Sequence, residues 1–354
     1  MDIEILNLVK VIMPTTLAFF VGIIITPIIS GYLYKNKMWK KCAGKMAFGG
    51  GKTPIFNKLH KNKEVGTPKM GGIIIWGSVF ITIFILWIFA FLSPNFTIEK
   101  LNFLSRNQTW LPLFTLFVGS LIGLIDDYFE IIGKTDYFAG GLSLKKRLFV
   151  VLIVSIVGAW WFFTKLEMTS ILIPFLGVLN VGWLFIPFFI IVMLGIYSGG
   201  VIDGIDGLAG GVFMFIFITY GVIAFSQNQI DLAAFCFVIV GGLLAFLWFN
   251  IPPARFYMSE TGTMGLTMTL TVIAFLTQQV FLLPLIAFPL IVTTLSNIIQ
   301  VSSKKLRNGK KIFLVAPIHH HFEAIGWPAY KVTMRYWVIS IICAIIGLII
   351  ALIG

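Results

Sequence analysis

At 354 residues the chain is 58% hydrophobic and only 11% charged, with a mean hydropathy of +0.98, which excludes an ordinary soluble domain. Its net charge of +12 is gathered into a few connections between apolar runs, which points to membrane topology and anionic ligands and away from nucleic-acid binding. The runs are long enough to cross a hydrocarbon layer of about 30 Å, so the expectation is an all-α polytopic integral membrane protein, one transmembrane domain over residues 1–354. A closed barrel needs short alternating strands instead.

Ten helical spans fit, at about 11–33, 71–92, 111–125, 148–164, 183–198, 209–226, 231–249, 263–277, 280–300 and 336–353, several of them short enough to require tilted or broken helices. The first lacks a cleavage site and reads as a membrane helix, not a signal peptide. Residues 171–181, with Pro174 and Gly177, read as an external loop or re-entrant piece. Cys42, Cys236 and Cys343 are too scattered for a disulfide framework or a zinc pattern.

Polar motifs interrupt this pattern. HKNKEVGTPKMGG (60–72) carries Lys63 and Lys69, which serve equally as topology signals and as phosphate partners. LIDDYFE (124–130) puts Asp126 and Asp127 directly after the third span. Adjacent carboxylates repel unless a cation or shared proton lies between them, so Mg²⁺ binding or acid/base work fits the pair, as does a solvated cap at the membrane edge. GGVIDGIDGLAGG (199–211) follows the fifth span. Its spacing of three turns Asp203 and Asp206 to one side, and its glycines let backbone approach a ligand; a plain polar turn explains the same composition.

In FNIPPARFYMSETGTMGL (249–266), Asn250, Ser259, Glu260, Thr261 and Thr263 are hard oxygen ligands, and Tyr257 or Phe256 offers a ring for a base. The same residues suit a capped helix start, with Ser259 or Thr261 as N-cap. APIHHHFE (316–323) sets His319, His320 and His321 in a row, which suits phosphate binding or proton transfer better than zinc.

With the amino terminus outside, the connections 34–70, 126–147, 250–262 and 301–335 fall on the cytoplasmic side with 10, 4, 1 and 7 Lys or Arg, 22 of the chain's 26. Both termini then face out. The acids and histidines named above all reach that one face from separate connections, which unrelated polar turns have no reason to do.

The stretches GTPKMGG, LIDDY, GGLS, DGIDGLAGG, FNIPPARFYMSETG, APIHHHFE, GWP and RYWVIS together resemble the phospho-N-acetylmuramoyl-pentapeptide transferase (MraY, translocase I) family of the polyprenyl-phosphate N-acetylhexosamine-1-phosphate transferase superfamily. The resemblance implies a ten-span, Mg²⁺-dependent homodimer of the bacterial inner membrane with its active site facing the cytoplasm. Its partners would be UDP-MurNAc-pentapeptide, undecaprenyl phosphate and membrane lipid, and its products lipid I and UMP. It implies Asp126 and Asp127 as the catalytic acidic pair, with Glu260 and Asp127 on the metal and His319 and His320 at a phosphate. Asp203 and Asp206 fall on the nucleotide side, Asn250 and Gln300 at uridine or substrate, and Tyr257 against uracil. His321, Lys69 and Lys145 complete the expected substrate-binding set.

Five positions depart from the family pattern: Glu260 for Asp, Ser259 for Gly, Gly200 for Asn, Glu130 for Lys and Lys69 for Thr. The base lost at 130 and gained at 69 fits either compensation or a divergent branch. A transferase of another UDP-N-acetylhexosamine, and a non-catalytic lipid-binding or transport protein, are the alternatives in view.

Overall fold

The computed structural model describes residues 3–41, 65–92, 101–105, 107–133 and 141–354; Lys63, His60 and Cys42 lie outside them. The described chain is mostly helical: α1 (Ile3–Lys35), α2 (Gly72–Leu92), α3 (Trp110–Ile132), α4 (Leu144–Lys165), α5 (Phe185–Tyr197), α6 (Leu208–Ser226), α7 (Ile230–Asn250), α8 (Ser259–Leu276), α9 (Phe288–Leu306), α10 (Ile318–Ala324) and α11 (Ala329–Ile353). Eight described helices are long and apolar enough to cross a membrane: α1 to α4, the stretch Gly182–Ile202 that contains α5, α6, α7 and α11. A further helical pair, Val280–Ile286 and α9, bends by 78° at its break. That break lies inside the run expected to span 280–300.

Helix α8 coincides with the run 263–277 but is rich in threonine, and it lies at the centre of the bundle with every residue from Thr261 to Phe275 buried. Its hydroxyls fold back on its own carbonyls, Thr263 to Ser259, Thr267 to Thr263 and Thr271 to Thr267, so buried oxygens are satisfied without water. Around it the apolar core is aromatic, with the Phe189 and Phe275 rings 4.7 Å apart and Phe162 5.2 Å from Phe189.

Glycines set how closely its neighbours approach. On one face of α3, four residues apart, Gly119 and Gly123 lie against α8: a Cβ at 119 would sit 2.8 Å from Gly265 Cα, and one at 123 would collide with the Glu260 carbonyl. Gly72 meets the backbone of Gly262 in the same way from α2. One more turn along that α3 face comes Asp127, and the close packing is what delivers it to the start of α8.

One expectation needs correction and another gains detail. Helix α3 does not end near residue 125 but runs on to Ile132, so Asp126 and Asp127 are helical and buried, 2% and 0% exposed, and are not a solvated cap. The helix can continue because both carboxylates find partners inside the bundle. The stretch 171–181, expected as an external loop or re-entrant piece, takes a regular form: β1 (Ser170–Ile173) and β2 (Gly177–Asn180) make an antiparallel hairpin, Ile171 opposite Leu179. Its β-branched residues favour strand, and Phe175 and Gly177 take left-handed φ of 64° and 88° in its turn.

Candidate active site

The site is built on the first turn of α8. A helix start leaves backbone N–H groups without partners, and here they are taken by carboxylates from two other segments. Asp127 Oδ2 accepts from Thr261 N at 2.9 Å and from Thr261 Oγ1 at 2.5 Å, while Asp203 Oδ2 accepts from Ser259 N at 2.6 Å. Neither Ser259 nor Thr261 caps the helix with its own side chain, contrary to the sequence expectation; the anions arrive in trans and face the positive end of the helix dipole. Ser259 adopts a φ of 56°, the left-handed region that favours glycine.

Asp126 is held from the other side. Its Oδ1 accepts from Leu142 N at 2.6 Å, and Gly141, at φ 120°, keeps the GGLS turn close enough that a Cβ there would lie 3.1 Å from the same oxygen. Its Oδ2 faces Arg147 Nη1 at 3.6 Å, and the same nitrogen donates to Glu260 Oε1. Arg147 therefore joins the acids of α3 and α8. Sequence reading missed it and chose Lys145, which is exposed. Lys145, Lys146 and Arg147 are consecutive, and only the packing of α4 decides which one turns inward.

The exchanged charges at positions 69 and 130 meet. Lys69 Nζ donates to Glu130 Oε2 at 2.5 Å, with Lys40 Nζ 3.9 Å from the other oxygen. Burial by itself favours the neutral amine of Lys69, but the carboxylates of Glu130 and Asp127 outweigh it and hold the ammonium well above the ordinary lysine range. Lys69 is thus committed first to a protein carboxylate.

The loop 203–207 links Asp203 and Asp206 to the histidines. Asp203 follows a 3₁₀ turn, Ser198–Ile202. Asp206 Oδ2 accepts from Ala254 N at 3.2 Å, so both acids face the 254–259 segment. Between them, a Cβ at Gly204 would lie 2.6 Å from His319 Nε2 and 2.7 Å from His320 Nε2. The close approach this glycine permits is to two imidazoles.

Both rings are buried, 4.2 Å apart, and His320 Nδ1 pairs with Glu323 Oε2 at 2.7 Å. His321 turns away, its Nδ1 accepting from Leu314 N and its ring against Phe313. Thr333 Oγ1 and Trp337 Nε1 donate to the carbonyls of Asp206 and Gly207, which gives the RYW helix a bracing role that its sequence did not announce.

Asn250 and Gln300 use their side chains on the protein's own backbone. Asn250 accepts from Gly207 N at 2.9 Å and donates to Phe256 O at 2.7 Å; Gln300 donates to Phe313 O and accepts from the N–H groups of Ile312 and Phe313. Beside Asn250 a cavity of about 300 Å³ is lined by Thr67, Asp206, Pro252, Pro253, Ala254 and Tyr257. Gly200 stands apart from it, with a Cβ there 3.2 Å from Thr263 Oγ1, so a larger side chain would press on α8.

Residues 109–278 match the model of glycosyl transferase family 4. The chain is 33% identical to the phospho-N-acetylmuramoyl-pentapeptide-transferase of Listeria innocua over 97% of its own length and 98% of the relative's. The chain belongs to the phospho-N-acetylmuramoyl-pentapeptide-transferase family. The relative in Clostridium perfringens is 34% identical over 96% of this chain and 98% of its own, and that of Pelagibacter ubique 36% identical over 82% and 81%. The five positions singled out in the sequence cluster: 69 and 130 pair with one another, while 259, 260 and 200 all lie on the amino-terminal turn of α8 or against it.

Proposed function

We infer that this chain transfers phospho-MurNAc-pentapeptide from UDP-MurNAc-pentapeptide to undecaprenyl phosphate, forming lipid I and releasing UMP in peptidoglycan synthesis. What carries the reading is that a member of this transferase family, aligned over nearly its whole length, gathers Asp126, Asp127, Asp203, Asp206, Glu260 and two buried histidines at one end of a membrane-type bundle. An oxygen of the lipid phosphate attacks the β-phosphorus of the donor, the bond from that phosphorus to the UMP oxygen breaks, and UMP leaves with the electron pair. The protein's part is positioning and charge neutralisation between anions.

Asp126, held by Leu142 N and Arg147, is the base for any proton the lipid phosphate still carries. His319 and His320 address a phosphate oxygen over Gly204, with Glu323 orienting the His320 ring. Uridine enters the cavity beside Asp206, Tyr257 stacks on the base, and Asn250 and Gln300 act by holding that cavity's walls and the 312–313 strand of loop.

Divalent cation chemistry fits the donors present: Asp127 Oδ1 is buried without a partner among the described residues, and Glu260 adds a second hard oxygen group. Mg²⁺ held by Glu260 and Asp127 would supply neutralisation of diphosphate charge. The 22 basic residues on one side favour a site facing the cytoplasm of a bacterial inner membrane, with both termini outside, and the family favours a homodimer.

Release of UMP from UDP-MurNAc-pentapeptide by purified protein and undecaprenyl phosphate tests the reading. Asp126→Asn should abolish lipid-linked product and leave the protein folded; near-normal turnover removes Asp126 from this role. UMP release with a UDP-N-acetylglucosamine donor and none with the pentapeptide donor would move the chain to another branch.

A further inference from the structure

The acid cluster already holds a cation, and it is a side chain. Arg147 Nη1 donates to Glu260 Oε1 and lies 3.6 Å from Asp126 Oδ2, so one guanidinium nitrogen serves carboxylates from two helices. This is not the two-nitrogen fork in which arginine binds a carboxylate best. Arg147 Nε is buried with no hydrogen-bond partner among the described residues, and so is Asp127 Oδ1. An unsatisfied donor thus remains on Arg147, and an unsatisfied acceptor on Asp127, the neighbour of Asp126 along α3. Among the described residues no three His, Cys, Asp or Glu side chains converge as a ready-made metal site. Arrangements that leave two buried polar atoms unmatched are costly to keep.

We propose that Arg147 is a resident cation that competes with the divalent metal for Glu260, and that metal binding displaces its guanidinium from that carboxylate. The inference rests on the reading of Glu260 and Asp127 as metal ligands. Displacement would let Glu260 turn an oxygen to the ion and free the Arg147 guanidinium for acceptors that satisfy more than one of its nitrogens. Arg147 is here a positioning residue: it sets how readily the metal enters.

Mn²⁺, a paramagnetic hard cation, reports this directly through the loss of free-ion electron spin resonance signal on titration into full-length protein in micelles, with no substrate present. Arg147→Met should bind Mn²⁺ about tenfold more tightly than the unmodified protein. Lys146→Met removes the same charge from an exposed neighbouring position and should change affinity by less than about threefold. Arg147→Lys keeps the charge but shortens the reach and removes the planar head, and should bind more tightly than the unmodified protein too.

If Arg147→Met fails to fold, Arg147→Lys decides alone. Equal or weaker binding in the Arg147 variants, or an equal gain in Lys146→Met, overturns competition while leaving the metal reading intact. Absence of Mn²⁺ binding in the unmodified protein and all variants overturns the metal reading itself.

Discussion

Replacing Lys69 by threonine should damage this protein unless Glu130 is exchanged as well. The Glu130 side chain is 10% exposed and that of Lys69 19%, and their charged atoms are 2.5 Å apart. Removing one partner of a buried ion pair costs about 3–5 kcal/mol, because the remaining charge is stranded. Here Lys40 stays 3.9 Å from Glu130, which sets the expectation at the lower end, about 3 kcal/mol.

For a chain of 354 residues, at about 2 cal/mol/K of unfolding entropy per residue, that is a fall of roughly 4 °C in the unfolding midpoint. Lys69→Thr combined with Glu130→Lys should recover most of it, since a lysine at 130 lies one helical turn from Asp127 on α3. The assay is a double-mutant cycle by thermal unfolding in micelles, with UMP release measured alongside. Single effects that simply add, with coupling below about 0.5 kcal/mol, would refute the pairing. Because the Lys69 ammonium is held above its ordinary value, the pair's contribution should be full through neutral and mildly alkaline pH, begin to fall above the ordinary lysine range and be lost as pH rises through the raised value. Loss of coupling below pH 9 would contradict it.

Gly204→Ala puts a Cβ 2.6 Å and 2.7 Å from the two imidazole Nε2 atoms, so transfer should drop at least about tenfold with little loss of folded protein; unaltered UMP release would mean the rings are not needed where they stand. Ser259→Gly should raise the unfolding midpoint by relieving the φ of 56°, a relief of about 1 kcal/mol before the added freedom of the unfolded chain is subtracted, whereas Ser259→Ala keeps the strain. A glycine variant less stable than the alanine one would contradict that account.

Hydrophobic run length located most of the long helices, because a membrane-type helix must be apolar over its whole crossing; of the ten expected runs, 280–300 is broken by a 78° bend and the threonine-rich 263–277 is helical without being among the eight described helices apolar enough to cross. The motifs also named most of the carboxylates and histidines that the structure brings together, since such groups flanking apolar runs are costly unless they have partners. Partnership was not legible. Arg147 looks no different from Lys145 and Lys146 in sequence, and Asn250 and Gln300 look like ligand contacts until their amides are found on Gly207, Phe256 and Phe313.

The aspartates at 127 and 203 likewise proved to be caps for α8 only in the packed bundle, where Gly119 and Gly123 of α3 and Gly72 of α2 let two helices close on its backbone. Local sequence determines which residues are polar and where each helix runs. Which donor meets which acceptor depends on helix rotation and spacing, set by steric contact between segments more than a hundred residues apart, as between Gly123 and Glu260. For that reason the charge exchange between positions 69 and 130 stayed ambiguous in sequence, and the tertiary structure resolved it into a single ion pair.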